Sequence, residues 1–200
     1  FYREAVKRAG GQLVAKSSFD RDSLDMAPAI GQIGASNAQA VIMASPGKAA
    51  AQFVRAARAA NLAARIVAFS VVAMSGLEKE LGAQAVGTMF AQPLPYPRGA
   101  GSKFVLAFQR AVGGEPAKMR YAQLHGYLAA SVLIEALRDA GPSPTTAGLI
   151  QALERRKGFD FEGYRVEFSP QRRIGSNYVD MVMLGRDGRK LVMLDLTVKR

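Results

Sequence analysis

Residues 38–93, AQAVIMASPGKAAAQFVRAARAANLAARIVAFSVVAMSGLEKELGAQAVGTMFAQP, decide the fold. A short apolar run, a small or polar residue at its end and a segment of helical period recur along it. AQAVIMA (38–44) ends at Ser45-Pro46-Gly47 and enters AAAQFVRAARAANL. RIVAF (65–69) ends at Ser70 and enters VVAMSGLEKELG, and AVGTMF (85–90) runs to Gln92-Pro93. Continuous apolar strands alternating with helices imply an α/β domain with a parallel sheet covered by helices on both faces. In such sheets ligands bind outside the carboxyl ends of the strands. The stretch therefore predicts both a fold class and a place for a site.

Working outward, FYREAVKRAG reads as a helix stopped by Gly10-Gly11, and QLVAKSSF (12–19) as a further strand. Asp22 or Ser23 is placed to cap a helix from Leu24 to about Ala35, with Pro28 in its first turn. Pro46 suits the first turn of the next helix, which carries Phe53, Val54 and Ala57 on one stripe, Lys48, Arg55 and Arg58 outside, and a stop at Asn61. Ser75 with Glu78 spells a capping box. PLPYPRGAGS, rich in Pro and Gly, reads as a connection between lobes. Three helices follow with no strand among them: SKFVLAFQRAVGG, a longer one from about Tyr121 to Ala140 stopped by Gly141-Pro142, and one from about Thr145 to Arg156. YRVEFS, NYVDMVMLG and RKLVMLDL read as strands, the last two joined at Arg186-Asp187-Gly188, a hairpin signal.

Composition narrows the chemistry. The 200 residues hold no cysteine, which removes disulfides, zinc–thiolate sites and thiol nucleophiles. A net charge of +11 raises the prospect of nucleic acid. The basic residues are spread along the chain, however, and the groups Arg155-Arg156-Lys157 and Arg172-Arg173 have no interleaved aromatics on which bases could stack, so no nucleic-acid partner is expected. The apolar runs are too short to span a bilayer. His125 is the only histidine and has no nucleophile or metal-ligand set beside it in sequence. Asp20, Asp22 and Asp25 lack the glycine of an EF-hand loop and read as capping residues. No dinucleotide, P-loop or nucleophile-elbow motif occurs, so neither an enzyme, a cofactor nor a metal is expected. What remains is a set of strand ends: Ser45, Pro46 and Gly47, then Ser70 and Val71, then Gln92. Hydroxyls and free N–H groups at helix starts suit a carboxylate or another anion, and equally serve as ordinary turn and capping groups.

The ordered set of segments resembles one family. AVKRAGG before VAKSSFDRDSLDMAPAIGQI, NAQAVIMASPGKAAAQFVRAARAANL, RIVAFSVV, LGAQAVGTMFAQPLPYP, YAQLHGYLAASVLIEALRDAG and GYRVEFSPQRRIGSNYVDMVML are together similar to the Leu/Ile/Val-binding branch of the periplasmic substrate-binding proteins of ABC transporters, the type I two-lobed fold. The resemblance implies a partial chain whose N-terminal half, with the first lobe and the first strand of the second, lies before Phe1. It implies that residues 1–92 are most of the second lobe, that 93–165 cross to cover the first lobe's missing sheet, and that 166–200 return to complete the second. It further implies a solute-binding function in which an interlobe cleft closes on a small molecule and presents it to a membrane permease, in the periplasm after export on a signal peptide outside this sequence. A ligand-sensing domain of the same fold without transport is the alternative. By the same carry-over the ligand-binding residues are Ser45, Pro46, Gly47, Ser70, Val71, Gln92, Tyr121 and Gln123. Amino-acid-binding members place a carboxylate near position 70, where this chain has Ser70. A neutral hydroxyl leaves a buried ammonium without a counter-ion. The expected ligand is therefore a small carboxylate, aromatic or otherwise, ahead of an amino acid.

Overall fold

The structure is a computed structural model that describes residues 2–45, 47–186 and the backbone of 192–195. The apolar runs become strands wherever a neighbour takes up their backbone groups. β1 (Ala40–Met43) pairs in parallel with β2 (Arg65–Phe69), in the register Val41 to Ile66 and Met43 to Ala68. β2 pairs in parallel with β3 (Met89–Gln92), Ala68 facing Phe90. β6 (Asp180–Met183) and β7 (Val192–Asp195) extend the sheet to five strands in the order β1-β2-β3-β6-β7. The expected hairpin turn at Asp187-Gly188 lies outside the described residues.

The chain divides into two units. The first takes in the described residues up to Ala91 and those from Met181 to Leu194, and the second runs Gln92–Asp180. The first is built around the sheet. α3 (Gly47–Ala59) follows β1 and buries Ala50, Ala51, Phe53, Val54 and Ala57 against Ile66, Ala68 and Phe90. Its outer residues are not simply solvated: the Arg58 guanidinium donates to the Val86 carbonyl at 2.9 Å, and Arg55 lies 3.8 Å from Glu80. Asn61 (φ 50°) turns the chain out of the helix, the left-handed stop expected of it. α1 (Tyr2–Arg8), α2 (Ala27–Ala35) and α4 (Met74–Leu81) complete the unit.

Four expectations need correction. QLVAKSSF is not a strand. β1 ends the sheet, no described residue pairs with 12–19, and Leu13 and Val14 are exposed. An apolar segment that pairs with no neighbouring strand has no ladder to stabilise it. α2 begins at Ala27, not Leu24, because Leu24 turns left-handed (φ 52°). Neither Asp22 nor Ser23 caps α2, whose N-cap is Met26 with no side-chain bond. Asp20 accepts from the N–H groups of Asp22 (3.0 Å) and Ser23 (2.8 Å), and Asp25 from that of Ala27 (3.0 Å), so these two carboxylates turn the chain. Ser75 does not cap α4: Ala73 is the N-cap, without a side-chain bond, and the Ser75–Glu78 pair lies inside the helix. The third strand starts at Met89, because Gly82–Ala85 forms a 3-10 turn.

The second unit is helical. α5 (Lys103–Val112) is capped by Ser102, α6 runs Tyr121–Ala140, and α7 (Thr146–Arg155) is capped by Thr145, whose hydroxyl accepts from Gly148 N at 3.0 Å. They enclose Leu94, Phe104, Val105, Phe108, Leu124 and Phe159 with a small antiparallel pair, β4 (Phe159–Phe161) and β5 (Tyr164–Val166). β4 carried no signal read from the sequence. Tyr164 stacks on Phe104 at 5.0 Å and donates to the Pro93 carbonyl at 2.7 Å. No helix among the described residues is long and apolar enough to cross a membrane.

Candidate functional site

The register of the first unit's sheet sets the site. Met43, Ala68 and Phe90 form one row of Cα partners across β1, β2 and β3. Ser45, Ser70 and Gln92 each stand two residues beyond that row. Three polar residues thus fall at the carboxyl ends of three adjacent parallel strands, where an open α/β sheet leaves its crevice. The strands are held by burial, Ala68 and Phe90 being fully enclosed, so their ends are fixed in relation to one another. Beyond β2 the chain reaches the surface: Ser70 is exposed and Val71 is 61% exposed, before Val72 returns to the core. Ser45 and Gln92 are buried.

Gly47 opens α3 with φ 64°, and a Cβ built there would meet nothing within 4 Å. The position requires glycine for its backbone conformation, not for lack of room. Gly47 and Lys48 are exposed at the start of α3, the positive end of that helix's dipole. Among Ser45, Gly47, Lys48, Ser70, Val71 and Gln92 there is no carboxylate. Pro46 lies outside the described residues.

Gln92 is the first residue of the second unit, and the two remaining expected residues lie further along that unit. Tyr121, the first residue of α6, is largely buried, and its hydroxyl has no hydrogen-bond partner among the described residues. Burial pushes its pKa well above the ordinary tyrosine value, and the Asp180 charge with Tyr96 and Tyr178 adds to the shift. Gln123 serves the helix: its side chain accepts from Arg120 N at 2.9 Å, closing a capping box. The sequence reading did not single out Asp180, Tyr96 or Tyr178, because they are brought to Tyr121 from distant segments of the chain. Nor did it find the ion cluster in which Arg156 reaches Glu135 and Asp139, each at 3.1 Å, and stacks on Phe159. A cavity of about 630 Å³ lies elsewhere, between α2 and α3, lined by Leu24, Met26, Ile30, Arg55 and Ala59 among others. It is an open interhelical groove whose polar lining residues are Asp25, Gln52 and Arg55.

The family model described as "Periplasmic binding protein" matches residues 1–189. Solved structures match with high similarity. A substrate-binding periplasmic protein from Ralstonia solanacearum is 28% identical, with TM-score 0.77, over 96% of this chain and 56% of its own. An extracellular ligand-binding receptor from Verminephrobacter eiseniae is 30% identical, with TM-score 0.72, over 94% of this chain and 55% of its own. A branched-chain amino acid ABC transporter protein from Thermus thermophilus, solved with bound valine, is 18% identical, with TM-score 0.73, over 96% and 54%, and shows the shared fold. This chain spans about half the length of each. No curated protein matches it.

Proposed function

The chain belongs to the periplasmic binding protein family, and from that premise we propose that it is part of the solute-binding component of an ABC-type uptake system, taking a small organic carboxylate at the ends of β1, β2 and β3. The observation that carries this reading is the row Ser45, Ser70 and Gln92, each two residues past one register row of a rigid parallel sheet. In the proposed complex the ligand carboxylate lies over the first N–H groups of α3, where the open space at Gly47 admits it, and accepts from the Ser70 hydroxyl. Lys48 adds positive charge from the rim. Binding by N–H groups and hydroxyls needs no chemistry from the protein, so the role is capture and delivery to a membrane permease, outside the inner membrane.

The ligand class follows from charge. The strand-end set has a basic residue and no acidic one, which favours an anion over a zwitterion whose ammonium would need a partner. Valine is bound by the Thermus protein named above, at an identity that shows only the fold. A thermal-shift screen of the protein against aliphatic carboxylates, aromatic acids and amino acids tests the proposal, since a bound ligand raises apparent stability by mass action. Saturable stabilisation by a carboxylate lacking an ammonium is expected. Ser70→Phe, at an exposed position, should abolish that shift and leave the ligand-free melting temperature within about 1–2 °C. Unchanged affinity in the variant would remove Ser70 from the site, and stabilisation by amino acids alone would overturn the ligand class.

A further inference from the structure

The two basic groups that stand apart in the sequence meet in the second unit. Arg173 donates to Glu154 at the end of α7, which brings Arg172-Arg173 to Arg155-Arg156-Lys157. Arg165 of β5 donates to the Lys157 carbonyl and adds a further cation. The neighbouring carboxylates are engaged: Glu154 with Arg173, Glu135 and Asp139 with Arg156, and Glu167 at 3.3 Å from Arg165. Asp160 and Glu162 belong to the β4–β5 turn, where Asp160 accepts from Gly163 N at 2.7 Å. Arg155 and Lys157 are exposed, and no ion pair among the described residues takes them up.

Ile174 follows this pair of arginines and is 73% exposed, more than any other large apolar residue described. A lone exposed isoleucine is ordinary. This one differs in how it is carried. Ser169 and Arg172 exchange backbone hydrogen bonds of 3.0 Å and close a turn around Pro170. The Arg172 guanidinium donates to the Ile174 carbonyl at 2.9 Å and to the Asn177 side chain at 3.1 Å. Directly after it, the Gly175 carbonyl accepts from Glu167 N at 2.7 Å. A Cβ at Gly175 would stand 2.7 Å from Val166 and 2.8 Å from Phe168, so the backbone is pressed against β5. The chain is thus fixed on both sides of Ile174 while the side chain stays in solvent. Ile150, 42% exposed, lies one helical turn before Glu154 on the same face of α7.

We propose that the turn 169–174 and the end of α7 form a contact surface for an anionic lipid leaflet, with Ile174 entering the interface and Arg155 and Lys157 meeting lipid phosphates. An apolar tip ringed by long cationic side chains gains from both the buried aliphatic area and the surface charge of such a leaflet. A tip needs no preformed socket in a fluid surface, whereas a protein partner would have to supply one. None of these residues belongs to the strand-end set, so the claim is independent of the solute.

The test mixes the protein with vesicles of phosphatidylethanolamine and phosphatidylglycerol, in a ratio of roughly three to one, and reads the bound fraction by sedimentation. Saturable partitioning is expected, with at least about tenfold less into vesicles of phosphatidylcholine alone. It should be lost when salt rises from about 0.1 M to about 1 M, where the screening length falls from ~10 Å to ~3 Å. Ile174→Asp should weaken it about tenfold, and Arg155→Gln with Lys157→Gln about tenfold or more. A net charge of +11 is drawn to any anionic surface, so Lys7→Gln with Arg8→Gln is the control. That pair removes the same charge from exposed positions of α1 and should cost less than about threefold. Circular dichroism checks that each variant melts as the wild type does. Should Ile174→Asp not, Ile174→Ser is read in its place. Equal losses from the two double variants would assign the attraction to net charge and overturn the proposal. Partitioning indifferent to Ile174 would overturn it too, leaving an electrostatic surface of the kind that suits an acidic protein. So would equal partitioning into both kinds of vesicle, or none at low salt. A failed solute screen leaves all of these readings intact.

Discussion

α3 and α6 are both rich in alanine and leucine-like residues, yet they stand in different states of completion. α3 has one apolar stripe, and the sheet of its own unit covers it: Ala50, Phe53, Val54 and Ala57 are all buried, while its polar side is tied down through Arg55 and Arg58. α6 has two apolar sides and one cover. The difference teaches that a helix's apolar pattern alone does not say which of its sides is covered. The first unit's sheet covers the one stripe of α3. Among the described residues the Leu133–Ile134 side of α6 is left exposed.

The strongest way to break this contrast is to strike the part that is complete. Phe90 is fully buried at the centre of β3 under α3 and α4. Phe90→Ala removes a ring from a site whose neighbours are fixed in three strands, and a loss of about 3–5 kcal/mol is expected by denaturant unfolding. A loss under about 1 kcal/mol would mean that the first unit's core is loosely packed and that its strand ends are not a rigid platform.

The two sides of α6 allow a sharper comparison within one helix. Leu124→Ala deletes a fully buried side chain from the second unit's core and should cost about 2–5 kcal/mol. Leu133→Ala, on the open side at 48% exposure, should change stability by about 0.5 kcal/mol or less in the chain by itself. Equal costs would show that the open face is already covered in solution and would remove the distinction between α3 and α6.

The legibility of the sequence follows the same division. The strands at 40–43 and 65–69 and the stops at Asn61 and Gly141 were readable because apolar runs and left-handed turn residues act locally. The hydroxyls of Ser102 and Thr145 cap α5 and α7 by equally local action. QLVAKSSF has an apolar Leu-Val-Ala run, like the Ile-Val-Ala of RIVAF, but pairs with no described strand, and strand formation depends on a partner that the segment cannot specify. The Ser75–Glu78 motif misled because α4 starts early enough that the Gly76 N–H already bonds back to the Ala73 carbonyl at 3.0 Å. In the candidate site, Ser45, Ser70 and Gln92 were legible from the strand-end rule alone. The neighbours of Tyr121 were not, since Asp180 and Tyr121 lie far apart in sequence and only folding puts one carboxylate in the field of that phenol. Gln123 shows the converse: its side-chain oxygen accepts from Arg120 N and caps its own helix, a local role that the resemblance did not imply.

The smallest expected effect comes from His125, which stands on α6 one turn before Ala129 of the open face. Shielding of its ring by the protein holds its pKa below the ordinary 6.5. The sign follows from linkage. A histidine held neutral in the folded state contributes stability that is fully present above the unfolded value, and this is lost as the pH falls through 6.5 toward the lower folded value. As the sole histidine, its imidazole signals can be followed without ambiguity by NMR titration. A midpoint below 6.5 is expected for the chain alone, with a slight loss of stability between about pH 7.5 and 5.5 that His125→Gln removes. A midpoint at 6.5 or above would place the ring in full solvent, because desolvation is what disfavours the charged form. The same titration therefore reads, from a single proton, how far solvent reaches that side of α6.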